Sequence, residues 1–202
     1  MASPIIIFQT VGSNAPSTPF LGDIKDKTGV LRIFFGQKIE DPTSGVLVTE
    51  WSSQSGARAY ISSELARNLQ AKETLAYVLN AADIFTAAPC TEVFTAFGAE
   101  EGFGSADGNV GRFVSGLEET GKPEGYFGAA FGEEVALVGG GGETGGEENT
   151  GRRSVRLVIG WESKDAHVKA KEQEEGAIQR YIHELRSGRE AVELYHVALT
   201  QL

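Results

Sequence analysis

A single cysteine, Cys90, stands in 202 residues. One thiol closes no disulfide within the chain, and without a cysteine cluster there is no thiolate set for a structural zinc site. A lone cysteine fits a reducing compartment. Basic residues are in deficit, 18 against 28 acidic, for a net charge of −10. A surface of that sign repels phosphate backbones and anionic lipid headgroups, which argues against nucleic acid and membranes as partners. No apolar run reaches the ~20 residues of a membrane span. The short run in "MASPIIIFQTVG" lacks a basic flank and reads as a first strand, not a secretory leader. The cytoplasm is the expected location. Gly-x-Ser-x-Gly is also missing, and Cys90 has no basic neighbour to make a thiolate.

What is present is ordinary globular material, 41% hydrophobic, written twice. "VLVTEWSSQSGARAY" (Val46 to Tyr60) and "VRLVIGWESKDAHVKA" (Val155 to Ala170) are each a β-branched run, a Trp, a Ser two positions later and a polar helix start. Aligned on Trp51 and Trp161, Leu47, Val48 and Ser53 fall on Leu157, Val158 and Ser163. "GVLRIFFG" pairs with "EGYFGAAFG", and "PIIIFQTVG" with "CTEVFTAFG". The expected domains are 1–89 and 90–202, each a β-α-β-β-α-β unit.

In the first half, β-branched and aromatic residues place strands at 4–11, 30–39, 45–51 and 82–88. "EDPTSG" is a compact turn between the middle pair. The Ser-, Pro- and Gly-rich first connection leaves room for a short helix at most. After Trp51, Ile61, Leu65, Leu69, Ala76 and Leu79 suggest one long helix face. In the second half, Val110, Phe113, Val114 and Leu117 share a helix face, as do Ile178, Tyr181, Ile182 and Leu185. "VELYHVAL" (192–199) reads as the final strand. The second hairpin is swollen into "VGGGGETGGEENTGRR" (138–153), a flexible Gly-rich loop. It is no phosphate loop, because Gly-Lys-Ser/Thr does not follow and Glu143, Glu147 and Glu148 would repel a phosphate.

One β-α-β-β-α-β unit leaves a sheet face bare. In both Trp-bearing strands the two faces each carry apolar residues, so both faces need cover. Helices cover one, and the sheet of the other half is the natural cover for the second. The expected fold is α+β: two ferredoxin-like repeats packed sheet to sheet as a barrel with a ligand cavity inside. Pairing within the chain is favoured by effective concentration, with a homodimer left open.

The stretches "RIFFGQKIEDPTSGVLVTEWSS", "GWESKDAH" and "LYHVALTQL" resemble the dimeric α/β-barrel superfamily, most of all its antibiotic-biosynthesis-monooxygenase-type domains. The tandem arrangement is similar to fungal proteins with two such domains in one chain. The resemblance implies cofactor-independent oxygenation of an aromatic or polyketide-type molecule, haem breakdown, isomerisation of small signals, or no reaction. No cofactor is called for, with haem left open. The expected partner is a small hydrophobic or aromatic molecule.

His167 completes the Trp-x-Ser-x-x-Ala-His pattern. In this superfamily a His early on that helix can face the cavity and accept a proton; otherwise it is a surface histidine without chemistry. His196 on the last strand is the second candidate, or else a core histidine bonded to backbone. Trp51, Trp161, Phe35, Phe127 and Tyr195 are core aromatics first and cavity walls second. No metal site is expected: His167 and His183 would face nearly opposite sides of a continuous helix. The first half has Ala57 where the second has His167, so at most one half is expected to be active.

Overall fold

The computed structural model describes residues 3–81, 83–137 and 153–202. The first half runs β1 (Ile5–Gly12), α1 (Thr18–Lys25), β2 (Val30–Gln37), β3 (Ser44–Trp51), α2 (Gln54–Ile61), α3 (Glu64–Asn68) and β4 (Glu73–Val78). A short α4 (Ile84–Ala87) leads to the second half: β5 (Cys90–Phe97), α5 (Asn109–Glu119), β6 (Tyr126–Glu133), β7 (Ser154–Trp161), α6 (Lys164–Glu172), α7 (Ala177–Arg186), β8 (Ala191–Val197) and β9 (Thr200–Gln201). The Gly-rich loop expected at 138–153 lies outside the described residues, apart from Arg153.

Both halves make the same antiparallel sheet, β4-β1-β3-β2 and β8-β5-β7-β6. This is the ferredoxin-like order expected of each half. The central strands β3 and β7 are buried at every position, as strands covered on both faces must be. One face of the first sheet packs under α1 to α3 through Ile7, Leu47, Trp51, Ala57 and Tyr60. One face of the second packs under α5 to α7 through Phe94, Phe113, Leu157, Trp161 and Ile178. The remaining faces meet each other through Ile6, Phe8, Phe34, Val48, Tyr77, Val93, Val158 and Tyr195.

Two assignments are corrected. Of the stretch 82–88, the described residues 83–88 are not a strand; Ile84 and Phe85 lie on α4 and plug the inter-sheet core. The fourth strand is instead β4, within the stretch read as a helix. The helix stops at Gln70, whose φ of 51° is left-handed. Beyond it Leu75 and Tyr77 turn to the inter-sheet cluster and Ala76 to the helices, a period of two that the Ala76 and Leu79 spacing had hidden. The chain also leaves the second sheet at Val197, and β9 then pairs with Phe34 and Phe35 at the edge of the first.

The barrel closes at two seams within the chain. Lys38 bridges Val197, and the Ile39 N–H donates to the His196 carbonyl at 2.8 Å. At the other seam Tyr77 bridges Glu134, and the Val135 N–H donates to the Ala76 carbonyl at 2.8 Å. Each seam needs a glycine. A methyl on Gly36 would overlap the backbone of Ala198, and one on Gly132 that of Val78. These obstacles are main chain, so they cannot swing aside. Gly36→Ala and Gly132→Ala should each cost about 1–3 kcal/mol, the range for overpacking. Chemical denaturation would measure it; exposed Gly12→Ala, which meets no neighbouring atom and needs no left-handed backbone, serves as the comparison. Unfolding midpoints unchanged in both seam variants would contradict this account of closure.

Inside, the space between the sheets is largely side chain. Phe8 packs edge-on against Tyr77 and Phe85, with centroids 6.1 and 5.8 Å apart. Arg156, 1% exposed, lies between the Phe8 and Tyr77 rings, its guanidinium carbon 4.3 and 4.6 Å from their centroids. Its Nη2 donates to Thr95 Oγ1 at 2.8 Å. Cation–π contact replaces part of the lost hydration. The expected central cavity is therefore filled. A hollow of about 420 Å³ remains at one end, lined by Phe34, Phe85, Pro89, Leu199 and Gln201 among others.

Candidate functional site

The Trp–Ser corners explain themselves first. Ser53 and Ser163 cap α2 and α6, accepting from the N–H groups of Gly56 at 3.2 Å and Ala166 at 3.1 Å. Trp51 and Trp161 are fully buried on the helix-covered faces, where Phe35 is also largely buried. They are thus not walls of an inter-sheet cavity, because their strand positions point the other way. Phe127 is 49% exposed, and of the five aromatics expected there only Tyr195 belongs to the inter-sheet cluster.

What the fold gathers beneath α6 is polar. His167 enters from the first turn of α6 and stacks on the Trp161 ring, 5.1 Å between centroids at 15°. His196 rises from β8 on the same face, directly opposite Glu92 of β5. His167 Nδ1 lies 2.8 Å from His196 Nε2 and 3.4 Å from Glu92 Oε2. All three residues are buried. Each is held from behind. Trp161 Nε1–H donates to Glu92 Oε2 at 2.8 Å. Glu40, from the turn after β2 and so from across the seam, accepts from the His196 backbone N–H at 2.8 Å and lies 2.7 Å from its Nδ1. Lys164 Nζ reaches Glu40 at 3.0 Å.

The Glu40 carboxylate fixes the tautomers. It accepts at His196 Nδ1, which leaves Nε2 with a lone pair in the neutral ring. His167 Nδ1–H then donates to that nitrogen. The result is a hydrogen-bonded run His167–His196–Glu40, with Glu92 Oε2 3.4 Å from the same His167 Nδ1. Burial pushes the Glu92 carboxyl up to about 7 and the His167 imidazole down to about 4. Burial also works to raise Glu40, but hydrogen bonds from His196 and Lys164 outweigh it and hold the carboxyl at about 2. Cys90 takes no part: burial pushes its thiol up to about 11.

The first half carries apolar residues at the equivalent positions. Glu92 and Ile7 each sit opposite the residue two before the Trp, Ile159 and Thr49. Their partners on the neighbouring strand are His196 and Ala76. The seam bonds equate Ile39 with Val135, hence Glu40 with Ala136. His167 corresponds to Ala57. Glu92, His167 and His196 thus stand where the first half has Ile7, Ala57 and Ala76, and Glu40, which reaches over from the first half, stands where the second half supplies Ala136. Sequence reasoning found the two histidines separately. It missed Glu92, whose one signal is a carboxylate between the buried residues Cys90 and Phe94, and Glu40, read only as part of a turn.

A pH dependence follows. A carboxyl with a folded pKa near 7 and an unfolded value of 4.5 favours the folded state at low pH. That contribution is lost as pH rises from 4.5 through 7. His167 works oppositely, losing stability as pH falls from 6.5 towards 4. Above pH 7 only the Glu92 penalty stands, about 3 kcal/mol for such a shift. In chelator-treated protein, Glu92→Gln should gain stability over wild type between pH 5 and pH 8. A gap that fails to widen in urea unfolding across that range would contradict the assignment.

No family model and no curated protein matches the sequence. Solved structures do match. An anthrone oxidase-like protein superposes with a TM-score of 0.67 at 10% identity, over 98% of this chain and 92% of that one. A proposed monooxygenase from Lactobacillus acidophilus matches with a TM-score of 0.53 at 9% identity, over 99% and 96%. Another from Fusobacterium nucleatum gives 0.53 at 11% identity, over 99% and 94%. At such identities the likeness establishes architecture, not reaction. The chain has the paired ferredoxin-like, dimeric-type α/β-barrel fold of the monooxygenase-type proteins.

Proposed function

We propose that this chain is a monooxygenase-like enzyme acting on a small aromatic or polyketide-type molecule, with its reacting centre at the Glu92–His167–His196 cluster. The observation that carries the reading is the cluster itself: two imidazoles and a carboxylate whose ligand atoms lie within 4.8 Å of one another, buried, and absent from the equivalent positions of the other half. Burying such groups costs stability, and the apolar half forms the same corner without them. A cost borne in one half alone fits a function there. In the metal-free chain the cluster can take a proton from a phenol and pass it towards Glu40. The two halves, 1–89 and 90–202, are read as tandem copies of which one is active. The hollow beside Pro89, lined by Phe34 and Phe85 among others, supports a small-molecule partner.

The test is aerobic incubation with anthrone-type and quinol-type phenols, following oxygen uptake and product mass. Enzyme-dependent oxygenation is the expected result. The filled inter-sheet space favours a second reading, a barrel that binds or scaffolds without turnover. Ligand-induced stabilisation without oxygen uptake across the panel would favour it and overturn the first.

A further inference from the structure

We propose that Glu92, His167 and His196 form a binding site for one divalent first-row transition-metal ion, ligated through Glu92 Oε2, His167 Nδ1 and His196 Nε2. The three atoms all lie within 4.8 Å of one another, with the closer pairs at 2.8 and 3.4 Å. Ligand atoms around such an ion, each about 2.0–2.2 Å from it, stand roughly 3 to 3.5 Å apart. The chain therefore presents nearly the spacing that an ion requires.

Three further observations point the same way. His196 donates its far ring nitrogen to the Glu40 carboxylate, the second partner that orients histidine ligands and raises their basicity. Glu92 is held by the Trp161 indole N–H, and among the described residues no lysine or arginine pairs with it; its close titratable neighbour is the imidazole of His167 at 3.4 Å. A buried carboxylate with no lysine or arginine in contact is costly unless neutralised, and a bound cation supplies that charge. Two imidazoles and a carboxylate also suit iron(II), cobalt(II) or zinc(II) over magnesium or calcium. Three protein ligands leave at least one position open, as in sites that bind a substrate or water.

The inference shares its residues with the proposed reacting centre but does not depend on turnover. It also sets the stoichiometry. The corresponding positions Ile7, Ala57 and Ala76 offer no ligand atom on their side chains, so one ion per chain is expected.

The test uses the full chain, stripped with chelator and titrated with zinc(II) by calorimetry and native mass spectrometry, and with cobalt(II) by visible absorption. One ion per chain should bind. Glu92→Gln, with its fold checked by circular dichroism, should weaken binding at least 10-fold, in the range seen on losing a ligand-shell group. His183→Ala, which removes the exposed histidine, should leave binding unchanged. Should Glu92→Gln not fold, imidazole NMR of the wild type decides: zinc must shift His167 and His196 and spare His183. No binding, a site lost with His183, unshifted His167 and His196 signals, or a folded Glu92→Gln that binds like wild type would overturn the site. Ion binding without oxygenation sinks only the proposed reaction. Oxygenation that survives chelation, with no ion bound on titration, sinks only the metal.

Discussion

His167→Ala should reduce turnover by about 10²- to 10⁴-fold, the range lost with a positioned acid–base group. The argument is positional. His167 is the one member of the cluster on a helix, and its Nδ1 touches both Glu92 and His196. Without it the carboxylate and the second imidazole lose their common neighbour, whether the cluster holds a proton or an ion. The loss should fall on kcat more than on KM, because the hollow beside Pro89 is lined by other residues. Ser163→Ala is the structural comparison. It removes the cap of the same helix, costing about 1 kcal/mol of stability, and should leave turnover nearly intact. Oxygenation that is equal in His167→Ala and wild type would remove this residue from the mechanism.

Much of the architecture was legible because its signals are local. Alternating β-branched runs, a Trp at the strand end and a serine cap mark the same corner twice, and both corners fold alike. Residues 82–88 and 73–78 misled for a physical reason. A short apolar run can be a buried strand or a helical plug, and periodicity alone does not separate them. The plug at α4 is fixed by the inter-sheet core it fills, which no window of sequence contains. The cluster was half legible. His167 follows from a pattern, and His196 from its place in a strand. Their meeting depends on the register of β8 against β5 and on the face α6 presents. The sequence comparison of His167 with His183, a helical argument, could not reach it. Glu40 lay furthest from view, because it arrives across the seam from the other half.

Trp161→Ala should be the most destabilising single truncation at either corner, at about 5 kcal/mol, the upper end for large-to-small changes in a core. Trp51→Ala should cost somewhat less, although both rings are fully buried. The difference lies in the partners. Trp51 donates its indole N–H to the Thr49 hydroxyl at 2.9 Å, a neutral acceptor. Trp161 donates to the buried Glu92 carboxylate, whereas each ring stacks on one neighbour, Trp51 on Tyr60 and Trp161 on His167. A hydrogen bond to a charged group is worth about 1.5–3 kcal/mol, against about 0.5–1.5 for a neutral pair. Phenylalanine at each position isolates that term by keeping an aromatic ring and removing the N–H. Above pH 7, where Glu92 ionises, Trp161→Phe should cost about 1–2 kcal/mol more than Trp51→Phe. Towards pH 5, where the carboxyl stays protonated and can reorient, the gap should narrow. Equal costs at both pH values in urea unfolding would mean that the indole does not support the carboxylate. The cluster would then rest on Glu40 alone for its orientation.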